Sequence, residues 1–256
     1  MAAIAITLIL PAYNECAVIR NSVTEAVAYF ESRNLPYEII VVADGDDGTR
    51  EIVACMAAAN AALRVIGSSE RRGKGRGIRE AVALASGSII GYADADNKVP
   101  IADYAHIEPW VTGEFDMVIG SRALSTSRVE RKQPLYRRVG SQGFAFTMQA
   151  IVGLRDIHDT QCGFKFFKRD VALRLFEVQI IDGYMFDVEI LSLAQRFGYS
   201  IKEVPIRWRD DGDSRLQLLA GNVRNVRDLF RIRMSRQRFS EQDAQVRERR
   251  TTLDTY

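Results

Sequence analysis

A chain of 256 residues with 47% hydrophobic and 27% charged residues has the composition of a soluble globular protein, long enough for one large α/β domain or two small ones. A formal net charge of +2 gives no sign of nucleic-acid binding. Its three cysteines, Cys16, Cys55 and Cys162, lie far apart without CxxC spacing, which argues against a disulfide framework or zinc knuckle and for a reducing, cytoplasmic setting.

The apolar start, Met1 to Leu10, has no basic flank and ends at Pro11, so it reads as a core strand rather than a signal peptide. No window approaches about 18 uninterrupted apolar residues, so no membrane-spanning helix is expected. Strand-length apolar runs fall at Ile4 to Leu10, Glu38 to Ala43, Leu63 to Gly67, Ser88 to Ala93 and Asp116 to Gly120. Helix-length segments lie between them, at Ala17 to Arg33, Thr49 to Ala62, Lys74 to Ala85 and Ile101 to Thr112. This alternation predicts a mostly parallel sheet flanked by helices, with the site at the carboxyl ends of the strands.

Beyond residue 120 the pattern loosens. Ser121 to Arg138 is polar and Arg-rich, Val139 to Val152 is apolar with Gly140 and Gly143, and Ile201 to Trp208 reads as a further strand. No Gly/Ser linker divides the chain, so a single domain over residues 1–239 is expected. Val223 to Phe239 forms a basic amphipathic helix with two natural settings: an anionic membrane surface, or packing on the domain with a solvated Arg face. A homodimer through the same helix is a third arrangement. Ser240 to Tyr256, rich in charges of both signs, reads as a mobile tail.

The residues with chemical content cluster at predicted strand ends. Asp94-Ala95-Asp96 follows the fourth strand, where two carboxylates suit a hard divalent cation whose other positions go to water and phosphate oxygens. The first strand runs into Leu10-Pro11-Ala12-Tyr13-Asn14-Glu15 and the second into Ala43-Asp44-Gly45-Asp46-Asp47. An aromatic face at Tyr13 and an acceptor at Asp44 would suit a nucleobase. In Arg71-Arg72-Gly73-Lys74-Gly75-Arg76-Gly77, glycines and cations open a helix, a setting in which free N–H groups bind anions. The run is neither a Walker A sequence nor a dinucleotide fingerprint.

In order and spacing these motifs resemble the family 2 glycosyltransferases of GT-A fold, an α/β, Rossmann-like architecture. The later motifs Gly120-Ser121-Arg122, Asp156 to Lys165, Phe186-Asp187-Val188-Glu189 and Glu203 to Trp208 resemble the polyprenyl-phosphate branch, especially dolichyl-phosphate β-glucosyltransferases. The resemblance covers about residues 4 to 233 and implies a nucleotide-sugar pocket. Pro11, Tyr13 and Glu15 would frame the nucleoside, Asp44 would contact the base and Lys74 the diphosphate. Asp94 and Asp96 would hold Mg²⁺ or Mn²⁺. Arg122, Arg137 and Ser141 would receive an acceptor phosphate, and Ser214 and Arg215, in Gly212-Asp213-Ser214-Arg215, would close over the diphosphate.

An inverting hexose transfer is then expected, from UDP-glucose first and GDP-mannose next. A polyprenyl phosphate needs little deprotonation, whereas a hydroxyl of a soluble metabolite would need a general base. Asp159, Asp187 and Glu189 are the acidic candidates, with Asp159 first. The chain departs from the usual pattern at Ala43-Asp44, where the family pairs two aspartates, and at Asn97-Lys98, where some relatives place another metal ligand. The dolichyl-phosphate branch in eukaryotes carries a membrane anchor; none is expected here, which leaves the basic helix as a peripheral contact or the acceptor as soluble. Two rivals from other classes are a sugar nucleotidyltransferase and a non-catalytic nucleotide-sugar-binding protein.

Overall fold

The computed structural model describes residues 3–129, 152–154, 156–209 and 222–235. Strands β1 (Ile6–Tyr13), β2 (Tyr37–Asp44), β3 (Leu63–Ile66) and β4 (Ile89–Ala93) alternate with helices α1 (Ile19–Ser32), α2 (Thr49–Ala59) and α3 (Lys74–Leu84). They are followed by α4 (Tyr104–Val111), β5 (Met117–Ser121), β6 (Arg128–Val129), β7 (Phe164–Lys168), α5 (Arg169–Glu177), α6 (Phe186–Arg196), β8 (Ile201–Pro205), β9 (Arg207–Trp208) and α7 (Asn222–Ser235). Seven strands form one sheet in the order β3-β2-β1-β4-β7-β5-β8. Every pair in it is parallel except those made by β7, which runs antiparallel to both β4 and β5.

Alternation along β2 shows why the sheet is buried on both faces. Ile39 and Val41 join Leu8, Leu10, Val23 and Phe30 on the side of α1, α2 and α4. Ile40 and Val42 join Ile9, Ile78, Leu175 and Phe186 on the side of α3, α5 and α6. Side chains of a strand point to opposite faces in turn, so an unbroken β-branched run serves two cores at once. Helix α1 meets its core with Ile19, Val23, Ala26 and Phe30, a stripe at helical spacing.

The mostly parallel sheet flanked by helices is as expected from the alternation. Strand β7 is the difference, because Phe164 to Lys168 reads in sequence as a motif rather than a strand. Its insertion fixes Gly91: a Cβ there would lie 2.0 Å from the Phe166 ring across the β4–β7 pair. The segment from Ile201 to Trp208 is two strands rather than one. β8 pairs with β5, and β9 leaves the main sheet to pair with β6. The Asp103 carboxylate drives this departure by accepting both the Arg207 amide and its Nε at 2.6 Å.

Register carries the site. β1 and β2 align Tyr13 with Asp44, the two candidate nucleoside residues, as neighbours at the carboxyl edge. Asp94 and Asp96 follow β4 beside them. Among the described residues no helix is long and apolar enough to cross a membrane. Most of the apolar segment Val139 to Val152, the expected tail 240–256 and the residues Arg137, Ser141, Ser214 and Arg215 lie outside the described residues.

Candidate active site

Tyr13 is 38% exposed at the end of β1, and the Arg71 guanidinium carbon stands 4.4 Å from its ring centroid. Arg71 also donates to the Tyr184 hydroxyl at 3.1 Å, so one cation is held between two aromatic residues. Such cation–π contacts strengthen as they are desolvated. Arg71 belongs to the basic glycine-rich run, but Tyr184 does not stand out in the sequence, since their contact joins loops 113 residues apart. Asp44 is buried and accepts the amides of Ser68 at 3.2 Å and Arg72 at 2.9 Å, which pins the 68–72 loop over the strand ends. Pro11 lies inside β1, opposite Val42. The backbone of Glu15 donates to Thr49 Oγ1 and accepts from Ile19, joining the start of α1 to that of α2.

The glycine-rich start of α3 differs from its expected role. The amides of Gly75 and Arg76 donate to the Asp182 carbonyl, so these N–H groups are not free for an anion. The glycines provide room instead: a Cβ on Gly73 would lie 2.3 Å from Asp182 O, on Gly75 2.5 Å from Ile181 O and on Gly77 2.6 Å from Val42 Cγ1. What this run offers the site is the side chain of Lys74. Its Nζ lies 2.6 Å from Asp94 Oδ1. Burial alone would lower its pKa, but the charges of Asp94 and Asp187 outweigh that and hold the ammonium above the ordinary lysine range.

Asp96 has its own partner, Lys98, whose Nζ lies 2.8 Å from Asp96 Oδ2. Each of the two candidate metal ligands is therefore matched by an ammonium. Both carboxylates are about one-third exposed and offer hard oxygen donors, as Mg²⁺ or Mn²⁺ requires. Among the described residues there is no group of three or more His, Cys, Asp or Glu able to hold an ion. The residues fit a cation that takes two protein carboxylates and completes its shell with diphosphate and water. Below them, Gly163 O accepts the Asp94 amide at 3.0 Å, and a Cβ on Gly163 would lie 2.1 Å from Asp94 Oδ2.

On the far side of the sheet's carboxyl edge, Arg122 makes a bidentate pair with Asp159, Nε to Oδ2 at 2.7 Å and Nη2 to Oδ1 at 2.8 Å. The Arg122 amide adds a third bond to Oδ2 at 2.9 Å. Burial alone would raise the Asp159 carboxyl, but Arg122 outweighs it and holds the group below the usual carboxylate range. A carboxylate so held is a poor proton acceptor, which counts against the general-base role read from the sequence. Trp208 lies beside the same guanidinium, at 4.7 Å, and also 6.0 Å from Lys98 Nζ.

The other acidic candidates are buried inside α6. Asp187 Oδ1 accepts Lys165 Nζ and the Tyr92 hydroxyl, both at 2.6 Å, beneath the Asp94 turn. Glu189 accepts the amides of Ile180 and Ile181, and burial, opposed by those bonds, pushes its carboxyl up to about 7. Beside Asp159, Glu203 binds the amides of residues 158 and 159 and holds His158 Nδ1 at 2.7 Å. This exposed His–Glu pair was not singled out by the sequence, because its members lie 45 residues apart.

The Glycosyl transferase family 2 model matches residues 7–176. A dolichyl-phosphate beta-glucosyltransferase of Trichomonas vaginalis is 34% identical over 88% of this chain and 70% of its own. That of Saccharomyces cerevisiae is 32% identical over 90% and 74%. Among solved structures, glucosyl-3-phosphoglycerate synthase from Mycobacterium tuberculosis, in complex with Mn²⁺, UDP and glucosyl-3-phosphoglycerate, superposes with a TM-score of 0.64 at 22% identity. It covers 90% of this chain and 79% of the synthase. Mannosyl-3-phosphoglycerate synthase from Rubrobacter xylanophilus gives a TM-score of 0.65 at 18% identity over 93% and 75%. These two likenesses establish the GT-A fold. With the family model spanning most of the sheet and relatives above 30% identity along nearly the whole length, the chain belongs to the family 2 glycosyltransferases and is an enzyme of that class.

Proposed function

We propose that this enzyme transfers glucose from UDP-glucose to the phosphate of a polyprenyl phosphate, in one in-line displacement that inverts the anomeric carbon. An acceptor phosphate oxygen forms the bond to C1 as the bond from C1 to the diphosphate oxygen breaks. Tyr13 and Asp44 would receive the nucleoside, and Lys74 would approach the diphosphate. Asp94 and Asp96 would hold Mg²⁺ or Mn²⁺. A divalent cation there would neutralise charge on the departing nucleoside diphosphate. Arg122, and Arg137 with it, would hold the acceptor phosphate, because a planar guanidinium matches phosphate oxygens.

The observation that carries a phosphate acceptor is the engagement of each acidic candidate the sequence offered. Asp159 is held by Arg122, Asp187 by Lys165 and Tyr92, and Glu189 by two backbone amides. A phosphate that is anionic near neutral pH needs no base, so positioning and charge supply the catalysis. Asp159 would then position Arg122 rather than move a proton. The relatives named dolichyl-phosphate beta-glucosyltransferases support the same acceptor and sugar.

The test is nucleoside-diphosphate release by the purified chain with Mn²⁺ or Mg²⁺, offered UDP-glucose or GDP-mannose, with and without a short-chain polyprenyl phosphate. Lipid-dependent UDP release is expected; release from GDP-mannose alone, or release indifferent to the lipid, would overturn the reading. Binding without any turnover would point to a nucleotide-sugar-binding role.

His158 favours a second reading, transfer to a hydroxyl of a soluble acceptor, since Glu203 orients its ring through Nδ1 and the ring is exposed beside Asp159. Substitution of His158→Ala is expected to change kcat by less than about three-fold with a phosphate acceptor. A loss of about 10²-fold or more would identify a general base and a hydroxyl acceptor.

A further inference from the structure

We infer that helix α7 docks this enzyme on an anionic lipid surface through its outward face. Val226, Phe230 and Met234 stand four residues apart and are 45%, 54% and 64% exposed. At about 100° per residue they stack into one stripe. Leu229 and Ile232, each 2% exposed, with the buried Asp228, face the other way and join the core of α3, α5 and α6. The helix thus has two apolar faces, and among the described residues the domain buries one of them.

Arginines flank the outward stripe. Arg227 and Arg231 follow one side and Arg233 the other, all exposed, and the only acid on the helix, Asp228, is buried and lies 3.5 Å from Arg231. Apolar side chains between cations fit the boundary of a bilayer, where the chains enter the acyl region and guanidinium groups meet lipid phosphates. A second copy is a poorer occupant. A two-fold contact through this stripe would bring both sets of arginines together, with Asp228 the one carboxylate that each helix carries.

The position suits an enzyme meeting a lipid. A Cβ on Gly183 would lie 3.8 Å from the Arg224 guanidinium, so α7 abuts the loop that carries Asp182 and Tyr184. That loop caps α3 through the Asp182 carbonyl and exposes Ile180 and Tyr184 at 41% and 52%. A helix lying on lipid would keep this rim of the candidate site at the surface.

The test is sedimentation of the full chain with phosphatidylcholine vesicles, with and without added phosphatidylglycerol, at low and high salt. Neither nucleotide sugar nor polyprenyl phosphate is present, so the outcome is independent of the proposed glucosyl transfer. Binding at least about ten-fold tighter to the anionic vesicles, weakened by salt, is expected. The double variant Phe230→Ser with Met234→Ser should lose about ten-fold or more, and Arg227→Gln with Arg231→Gln about the same, with thermal unfolding unchanged because these side chains are exposed. Failure of the wild-type chain to bind anionic vesicles, or undiminished binding by both variants, overturns the inference. So does self-association that the Phe230 and Met234 changes abolish while vesicle binding is absent.

Discussion

Gly163 shows how a residue without chemistry of its own sets the geometry of one that has it. Its missing side chain is replaced by the Asp94 carboxylate, which would lie 2.1 Å from a Cβ there. The variant Gly163→Ala should displace that carboxylate from Lys74. We expect turnover to fall about 10²-fold or more at saturating donor while the melting temperature moves by only a few degrees, read by paired kinetics and calorimetry. A variant with full activity would mean that Asp94 does not act where it stands. Lys98 is the converse case, a charged residue beside the candidate metal ligands. Its ammonium, 2.8 Å from Asp96 Oδ2, competes with a dication for that carboxylate. Two like charges about 4 Å apart repel by several kcal/mol at protein-surface screening, and swinging the lysine away relieves most of it. Lys98→Met should therefore tighten Mn²⁺ binding in the presence of UDP by about ten-fold, read as free Mn²⁺ by electron paramagnetic resonance. Weaker binding in the variant would show that Lys98 assists the bound state instead.

At the scale of elements, Glu189 ties α6 to the turn that caps α3. It binds the amides of residues 180 and 181, and the next residue, Asp182, presents its carbonyl to Gly75 and Arg76. Burial raises its carboxyl from 4.5 to about 7, so the folded chain holds a proton that the unfolded chain releases between those values. The stability linked to this proton is full below pH 4.5 and is lost as pH rises through about 7. Its order is ~3 kcal/mol. Glu189→Gln should cost ~1 kcal/mol, since one amide loses its acceptor, and should flatten this fall. Chemical unfolding at pH values on both sides of the window checks it; an unchanged slope would assign the fall to other groups. The same helix shows the limit of sequence. Apolar runs alternating with helical segments exposed β1 to β5, and β1, β2, β4 and β5 are buried on both faces. β7 stayed hidden because Lys165 interrupts its apolar run, and the partner that allows a lysine to be fully buried, Asp187, lies 22 residues downstream. The turn residues Tyr13, Asp44, Asp94 and Asp96 were legible because they end such runs. Asp159 was legible as an acid but not as the partner of Arg122, a fact of tertiary structure.

Across the whole molecule, β7 joins two groups of residues that would otherwise meet only through loops. The strands β1, β2 and β4 carry Tyr13, Asp44, Asp94 and Asp96, while β5 leads to Arg122 and β8 carries Glu203. β7 pairs with β4 on one side and β5 on the other, and the 159–163 turn before it touches both Arg122 and Asp94. An antiparallel strand bonded to both groups makes separate unfolding costly, because either group would have to give up a full ladder of backbone hydrogen bonds buried beneath helices. We therefore expect one calorimetric transition whose enthalpy equals the van't Hoff value. UDP with Mn²⁺ at about a hundred times its dissociation constant should stabilise the whole by ~2.7 kcal/mol and raise that single transition by about 5–10 °C. Two transitions, with only the lower or the upper moved by nucleotide, would mean that the strand does not couple the donor residues to those around Arg122.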